Sequence, residues 1–279
     1  MSDARAALEA IGQLPDAEID LADAAVQLAR IDAPQADWHA AQDHLSLLAR
    51  DAVEMAGELS EDDLAGRLRV LATLMGARHR YGGDVDTYDD PRNANLIRVI
   101  ERRRGLPVAL GILWLHAARA AGWEAEGLDF PGHFLLALPV PGDTHGSKVL
   151  LDPFAGGTTV DTRGFKRLLR AVEGPLAQPR PELLDAMSNR GILLRLQNNI
   201  LLRRMTAGEI LGALACCEDM LRIAPEVPGL WHQAGLLNRQ AERPAAAVDC
   251  LEHFLHLAPS GEAADQARTT LAELRAGLH

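Results

Sequence analysis

Gly105-Leu106-Pro107-Val108-Ala109-Leu110-Gly111-Ile112-Leu113-Trp114-Leu115 opens a mostly apolar run that continues through Ala121 and stops at Gly122. Proline just inside the start and glycine just past the end frame a helix of about four turns. Only His116 and Arg119 interrupt its apolar surface, so the helix is expected to be buried rather than amphipathic. Two short β-like segments follow. One carries Phe130-Pro131-Gly132-His133-Phe134-Leu135-Leu136, the other Val149-Leu150-Leu151-Asp152-Pro153-Phe154. Between them, Pro139 to Ser147 has the turn-forming composition of an exposed loop.

Towards the N-terminus, residues 1 to about 80 have helical spacing. One helix covers Asp20 to Ala29 and ends near Pro34. A longer one covers about 36–57, with Leu45, Leu47, Leu48, Val53 and Met55 on or near its buried side. Ser60-Glu61-Asp62-Asp63 has the character of an N-cap with acids in the first turn, opening a helix to about Ala77. Residues 81–92 form a Gly/Asp-rich loop ending in Asp90-Pro91, so a helix begins around 92–94 and runs to Arg103, burying Leu96, Ile97, Val99 and Ile100. Asn93 either caps that helix or projects into a neighbouring cleft.

The segments Tyr88-Asp89-Asp90-Pro91-Arg92-Asn93, Arg102-Arg103-Arg104-Gly105-Leu106-Pro107, Phe130-Pro131-Gly132-His133 and Leu151-Asp152-Pro153-Phe154 occur in that order. Together they resemble the bacterial transglutaminase-like plus TPR proteins, often labelled "regulator of sirC". The order of central helix, strand with histidine and strand ending in aspartate is also similar to the papain-like hydrolase core. The resemblance implies a transglutaminase-like fold from about residue 35 onward, and it adds a regulatory role. It does not imply a reaction, because fold does not fix function.

Beyond the second β segment, Asp161 is expected to cap a helix over about 162–173, and Pro175, Pro179 and Pro181 mark a linker. The last third repeats itself. Glu218-Asp219-Met220-Leu221-Arg222-Ile223-Ala224-Pro225 recurs 34 residues later as Glu252-His253-Phe254-Leu255-His256-Leu257-Ala258-Pro259, which is the TPR period. The second unit sets Trp231, Gly235, Ala247, Leu251 and Pro259 at TPR spacing, with Ala234 and Asn238 in place of the usual Leu and Tyr. The first keeps mainly Ala213 and Pro225, and residues 262–276 form a capping helix.

Composition narrows the function classes. A net charge of −11 in 279 residues argues against a general nucleic-acid or anionic-membrane binder. The Arg102–Arg104 run is the local exception: solvated cations at a helix's negative end, or a contact for an anion or acidic partner. Met1-Ser2-Asp3-Ala4-Arg5 lacks the pattern of a secretory signal, no stretch is apolar enough to span a membrane, and three cysteines do not make a disulfide framework. A cytoplasmic location is expected.

A thiol triad needs a cysteine at a helix N-terminus, a histidine base, and an acid or amide to orient the histidine. The resemblance implies that His133 and Asp152 are the second and third members. Taken alone, His133 can equally be a structural or surface histidine, and Asp152 a turn-forming Asp-Pro. Counting back from Gly122 as the resemblance directs, the nucleophile position falls on Pro107. No Ser, Thr or Cys occurs from Leu96 to Leu138. Cys216, Cys217 and Cys250 lie in the repeat region, where Cys216 and Cys250 stand one repeat apart, as packing residues would. Cys250-x-x-His253-x-x-His256 drifts round a helix and is not expected to hold a metal. No phosphate- or dinucleotide-binding glycine motif is present, so no cofactor is expected.

The fold expected is α+β and predominantly helical: a transglutaminase-like (papain-like) core with a small antiparallel sheet, followed by TPR helical hairpins. Residues 1–90 are expected to be a helical region packing on the core, 91–178 the core, and 185–279 the repeats. The function expected is protein interaction, with a protein or peptide partner at the TPR region and a degenerate catalytic cleft. The alternative is a hydrolase or acyl-transfer enzyme using the His133/Asp152 cleft without the usual cysteine.

Overall fold

The computed structural model describes residues 3–57, 59–60 and 62–277. Glu61 of the predicted cap signature lies outside the described residues, as do Met1 and Ser2. The chain opens with helix α1 (Asp3–Gln13). It then enters a compact unit, Ile19–Leu196, while the described parts of Met1–Glu18 and Gln197–His279 form a second unit.

In the first unit, α2 (Leu21–Asp32), α3 (Trp38–Ala56) and α4 (Leu64–Ala72) each start on an aspartate whose carboxylate accepts first-turn amides: Asp20, Asp37 and Asp63. A π-helical turn, Thr73–Arg78, extends α4. On α3, Leu45 and Leu48 are buried, but Leu47 and Val53 are 38% and 55% exposed, contrary to expectation. The helical period explains this: Leu45, Leu48 and Ala52 follow the 3–4 spacing of one face, and Leu47 and Val53 fall off it.

Strand β1 (Gly82–Gly83) leads through the Asp-rich loop and a 3-10 turn, Pro91–Ala94, to α5 (Leu96–Arg102). Asn95 caps α5, accepting from Arg98 N–H at 3.1 Å. Asn93 does not cap it, because it sits in the preceding 3-10 turn. β2 (Arg104–Gly105) pairs in parallel with β1 and delivers the chain to α6 (Pro107–Ala120). α6 is buried over nearly its whole length, including Leu110, Ile112, Leu113, Trp114 and Leu115, and packs between α2, α3 and the sheet. Each of its fully buried Leu and Ile side chains contributes about 1.5–3 kcal/mol.

Four antiparallel strands follow in chain order: β3 (Glu126–Leu128), β4 (Leu135–Pro139), β5 (Lys148–Asp152) and β6 (Thr158–Thr159). β4 is buried on both faces except at its last residue, so it lacks a clean alternation. α7 (Thr162–Glu173) starts on Asp161, which accepts from Gly164 N–H at 2.7 Å. Its Phe165 and Leu169 join Phe130, Leu135 and Leu183 in a core under the sheet. The Pro175–Pro181 stretch therefore runs inside this unit.

α8 (Asn189–Thr206) carries the chain into the second unit, followed by α9 (Ile210–Ile223), α10 (Pro228–Gln240), α11 (Pro244–Leu257) and α12 (Glu262–Gly277). The two repeated Ala-Pro segments end α9 and α11. Gly235 lets α10 meet α11 closely, since a Cβ there would stand 2.7 Å from Leu251. α1 packs on α9. A Cβ at Gly12 would lie 2.1 Å from Arg222 O, and Arg5 Nε bonds the buried Asp219 at 2.9 Å.

Candidate functional site

His133 is presented by a tight turn. His133 N–H donates to Phe130 O at 3.0 Å, with Pro131 second and Gly132 third at φ +63°. That is the type II pattern, whose third residue is left-handed. β4 begins two residues later. One step along the register that pairs Leu136 with Leu151 sets Leu135 opposite Asp152. His133 is therefore Asp152's diagonal neighbour on one face.

His133 Nε2 lies 2.9 Å from Asp152 Oδ2, both side chains largely buried. Nε2 makes no hydrogen bond among the described residues despite the short distance. Asp152 Oδ1 meanwhile accepts from Phe154 N–H at 2.9 Å and Ala155 N–H at 3.1 Å. One carboxylate oxygen forms the Asp-Pro turn while the other faces the imidazole.

Phe154 links this pair to the Asp-rich loop. Its ring meets His133 edge-on at 6.2 Å and Tyr88 at 5.8 Å. Its carbonyl accepts from Gly83 N–H at 3.1 Å, and a Cβ at Gly83 would stand 2.6 Å from the ring. Phe134, next to His133, is clamped between two glycines. Cβ atoms at Gly111 of α6 and Gly127 of β3 would lie 2.2 and 2.5 Å from its ring.

From α8, Arg195 reaches back to the turn itself. Its guanidinium donates to Phe130 O at 2.9 Å and to His133 O, and pairs with Asp129. Burial lowers its pKa from the ordinary arginine value. Nothing local in the sequence pointed to Arg195, which lies far along the chain from the turn it holds.

Pro107, which the resemblance sets at the nucleophile position, is the first residue of α6 and is buried. The residue before it, Leu106, donates its N–H to Asn93 O at 3.0 Å. Asn93 is fully buried, with Nδ2 donating to Thr87 O at 2.7 Å and Oδ1 accepting from Arg102 at 2.9 Å. It thus ties the Asp-rich loop to the start of α6, a role neither of its expected alternatives described. Arg102 also bonds Asp84 at 2.7 Å. Burial opposes ionisation of Asp84, but the bonds from Thr87 and Arg102 outweigh it and hold its pKa at about 2.

The Arg102–Arg104 run is therefore not a row of solvated cations. Arg103 caps α5 in the left-handed region at φ +59°, a conformation costly for a residue with a Cβ. Its guanidinium turns inward, donating to His44 Nε2 and Tyr81 OH, both at 2.5 Å. His44 is thereby an acceptor, and burial together with Arg103 lowers its pKa to about 4. Behind it, Asp51 accepts from Arg78 and faces His79 Nε2, each at 2.7 Å. Only Arg104 is exposed.

In the second unit Cys216 and Cys217 are buried and Cys250 half-buried. Burial pushes the Cys217 thiol up to about 12 and raises Cys250. His253 stacks on Trp231 at 4.0 Å, and Cys250 contacts Asn238. Trp231 Nε1 donates to Pro225 O at 2.7 Å, closing α10 on the Ala-Pro turn.

A family model described as the transglutaminase-like superfamily matches residues 39–198, and a tetratricopeptide-repeat model matches residues 200–272. A UPF0162 protein of Xylella fastidiosa (strain Temecula1) is 32% identical over 197 residues, spanning 70% of this chain and 69% of its own. A UPF0162 protein of Vibrio cholerae serotype O1 is 29% identical over 261 residues, spanning 92% and 93%. Another, from Pseudomonas aeruginosa, is 34% identical over 168 residues, spanning 60% and 59%. With its buried central helix, four-stranded sheet and repeat helices, this chain belongs to the transglutaminase-like superfamily, among the bacterial UPF0162 proteins that join such a core to TPR helices.

Proposed function

We propose that this chain is a cytoplasmic, regulatory protein-interaction protein whose transglutaminase-like unit has lost thiol chemistry and whose TPR helices bind a protein or peptide. The observation that carries this is Pro107 at the first position of α6. A pyrrolidine ring can neither attack a carbonyl nor accept a proton. Thr87 lies near the site but donates its hydroxyl to Asp84 Oδ2 at 2.8 Å. The cysteines stand in the repeat helices, where burial disfavours thiolate. TPR hairpins present helix surfaces suited to peptides.

Affinity capture from lysate with the full chain and with residues 19–196 alone tests this. Partners retained by the full chain and lost by the core unit support the TPR assignment. Equal capture by the core overturns it.

The 2.9 Å approach of His133 to Asp152 favours a second reading. An imidazole held beside a carboxylate and acting on water contributes roughly 10²–10⁴-fold by general base catalysis. Hydrolysis of an amide or ester that His133→Ala abolishes would establish it, and screens without His133-dependent turnover would eliminate it.

A further inference from the structure

A cleft with charged walls opens where the end of α2 meets the Pro91–Ala94 turn and α5. It holds about 480 Å³ and is lined by Asp32, Arg92, Asn95, Arg98, Glu101 and Arg102. Clefts of roughly 300–1,000 Å³ are the size that takes small ligands, and most are apolar. This one sets three guanidiniums against two carboxylates, a local positive surplus in a chain of net charge −11.

Two of the arginines are held by groups that do not line the cleft. Arg102 donates Nη1 to the buried Asn93 and Nη2 to Asp84, at 2.9 and 2.7 Å. Arg92 lays Nε and Nη2 along Asp90. Such partners orient a guanidinium and leave its other N–H groups for a ligand. Among the described residues, Arg102 Nε and Arg92 Nη1 make no hydrogen bond, and Arg98 uses only Nη1, on Glu101 at 2.8 Å. That last contact is an exposed i, i+3 pair, worth little to the fold. Asp32 adds an acceptor at the end of α2, its Oδ2 accepting from Asn95 at 3.3 Å. No aromatic ring lines the cleft, so a nucleobase would find nothing to stack on.

We propose that this cleft binds a small phosphate monoester that also carries hydroxyl groups, a ligand of the sugar phosphate class. Its phosphate oxygens would accept from Arg92, Arg98 and Arg102, whose planar forks of donors suit phosphate. Its hydroxyls would donate to Asp32 and Glu101. Inorganic phosphate can use only the first set of groups. An acidic peptide would bring carboxylates towards Asp32 and Glu101, and like charges at close range disfavour it.

Isothermal titration calorimetry of the full chain with glucose-6-phosphate tests this, beside inorganic phosphate, an oligo-aspartate peptide and a single-stranded RNA. Glucose-6-phosphate should bind saturably with a Kd below about 1 mM, and at least about tenfold tighter than inorganic phosphate. Arg98→Gln should weaken both by at least about tenfold, since it removes a charged fork from the phosphate. Asp32→Ala should weaken glucose-6-phosphate while inorganic phosphate binds no less tightly, which separates the two ends of the site. Arg98→Gln loses only an exposed pair, and after Asp32→Ala Asn95 keeps its bond to Ala29 O at 3.0 Å, so both variants stay folded. Arg104→Gln, at an exposed arginine that does not line the cleft, should change nothing. The proposal is overturned if glucose-6-phosphate does not bind, binds no tighter than inorganic phosphate, or is indifferent to Arg98→Gln or Asp32→Ala. Tighter binding of the oligo-aspartate or the RNA would equally overturn it.

Discussion

Gly111→Ala tests whether the central helix and the His133 strand are locked by the Phe134 clamp. In an open helix this substitution stabilises by about 0.5–1 kcal/mol, because alanine loses less backbone entropy than glycine. Here the new methyl would stand 2.2 Å from the Phe134 ring, far inside the roughly 3.5–4.0 Å of carbon–carbon contact. The ring cannot simply retreat, since the Gly127 backbone closes its other side. Overpacking of this kind costs about 1–3 kcal/mol, so a net loss of about 1–2 kcal/mol is expected. Urea unfolding measures it, with Gly229→Ala as control, where nothing lies within 4 Å of the added methyl. Displaced Phe134 should also carry His133 from Asp152, visible as a changed imidazole NMR signature. A stability gain matching the control, with His133 unmoved, would refute the clamp.

Two other outcomes follow from the buried polar layer under α3. His44 titrates near 4, below its ordinary 6.5, because burial and Arg103 disfavour its charge. The unfolded chain then binds the proton first, so stability should fall as pH drops from about 6.5 to 4. The loss is at most about 3 kcal/mol, and less to the extent that water reaches the half-buried ring. His44→Gln should flatten that part of a pH–urea surface. Asp51→Asn should cost about 2–4 kcal/mol in urea, since it strips the carboxylate that meets both Arg78 and the buried His79. A change under about 0.5 kcal/mol would show the network to be dispensable.

The parts of the fold legible in the sequence were those written in local chemistry. Pro107 and Gly122 frame α6, Asp161 caps α7, and the 34-residue recurrence marks the ends of α9 and α11. What escaped was set by partners distant in the chain. Arg102 and Arg103 looked like solvated cations until Asp84, Tyr81 and His44 arrived from other elements. From the sequence Asn93 is the α5 cap or a cleft-facing side chain, but the 3-10 turn over Pro91–Ala94 leaves the cap to Asn95. β1, β2 and β6 are two residues each, too short for any alternation to show. Of the site, His133 and Asp152 stood in recognisable segments, but Arg195 acts through backbone oxygens and leaves no pattern.

We propose that Pro107 stands at the nucleophile position of a cleft whose base and orienting acid would be His133 and Asp152. Pro107→Cys places a thiol at the start of α6, where the helix dipole favours thiolate. Alkylation by iodoacetamide, followed by peptide mass spectrometry across pH, compares that thiol with Cys216, Cys217 and Cys250 in the same molecule. The new thiol should react fastest, given that burial raises the Cys217 and Cys250 pKa values. His133→Ala should slow it. A folded variant whose introduced thiol is inert, or reacts equally without His133, would contradict the assignment of Pro107 to the nucleophile position.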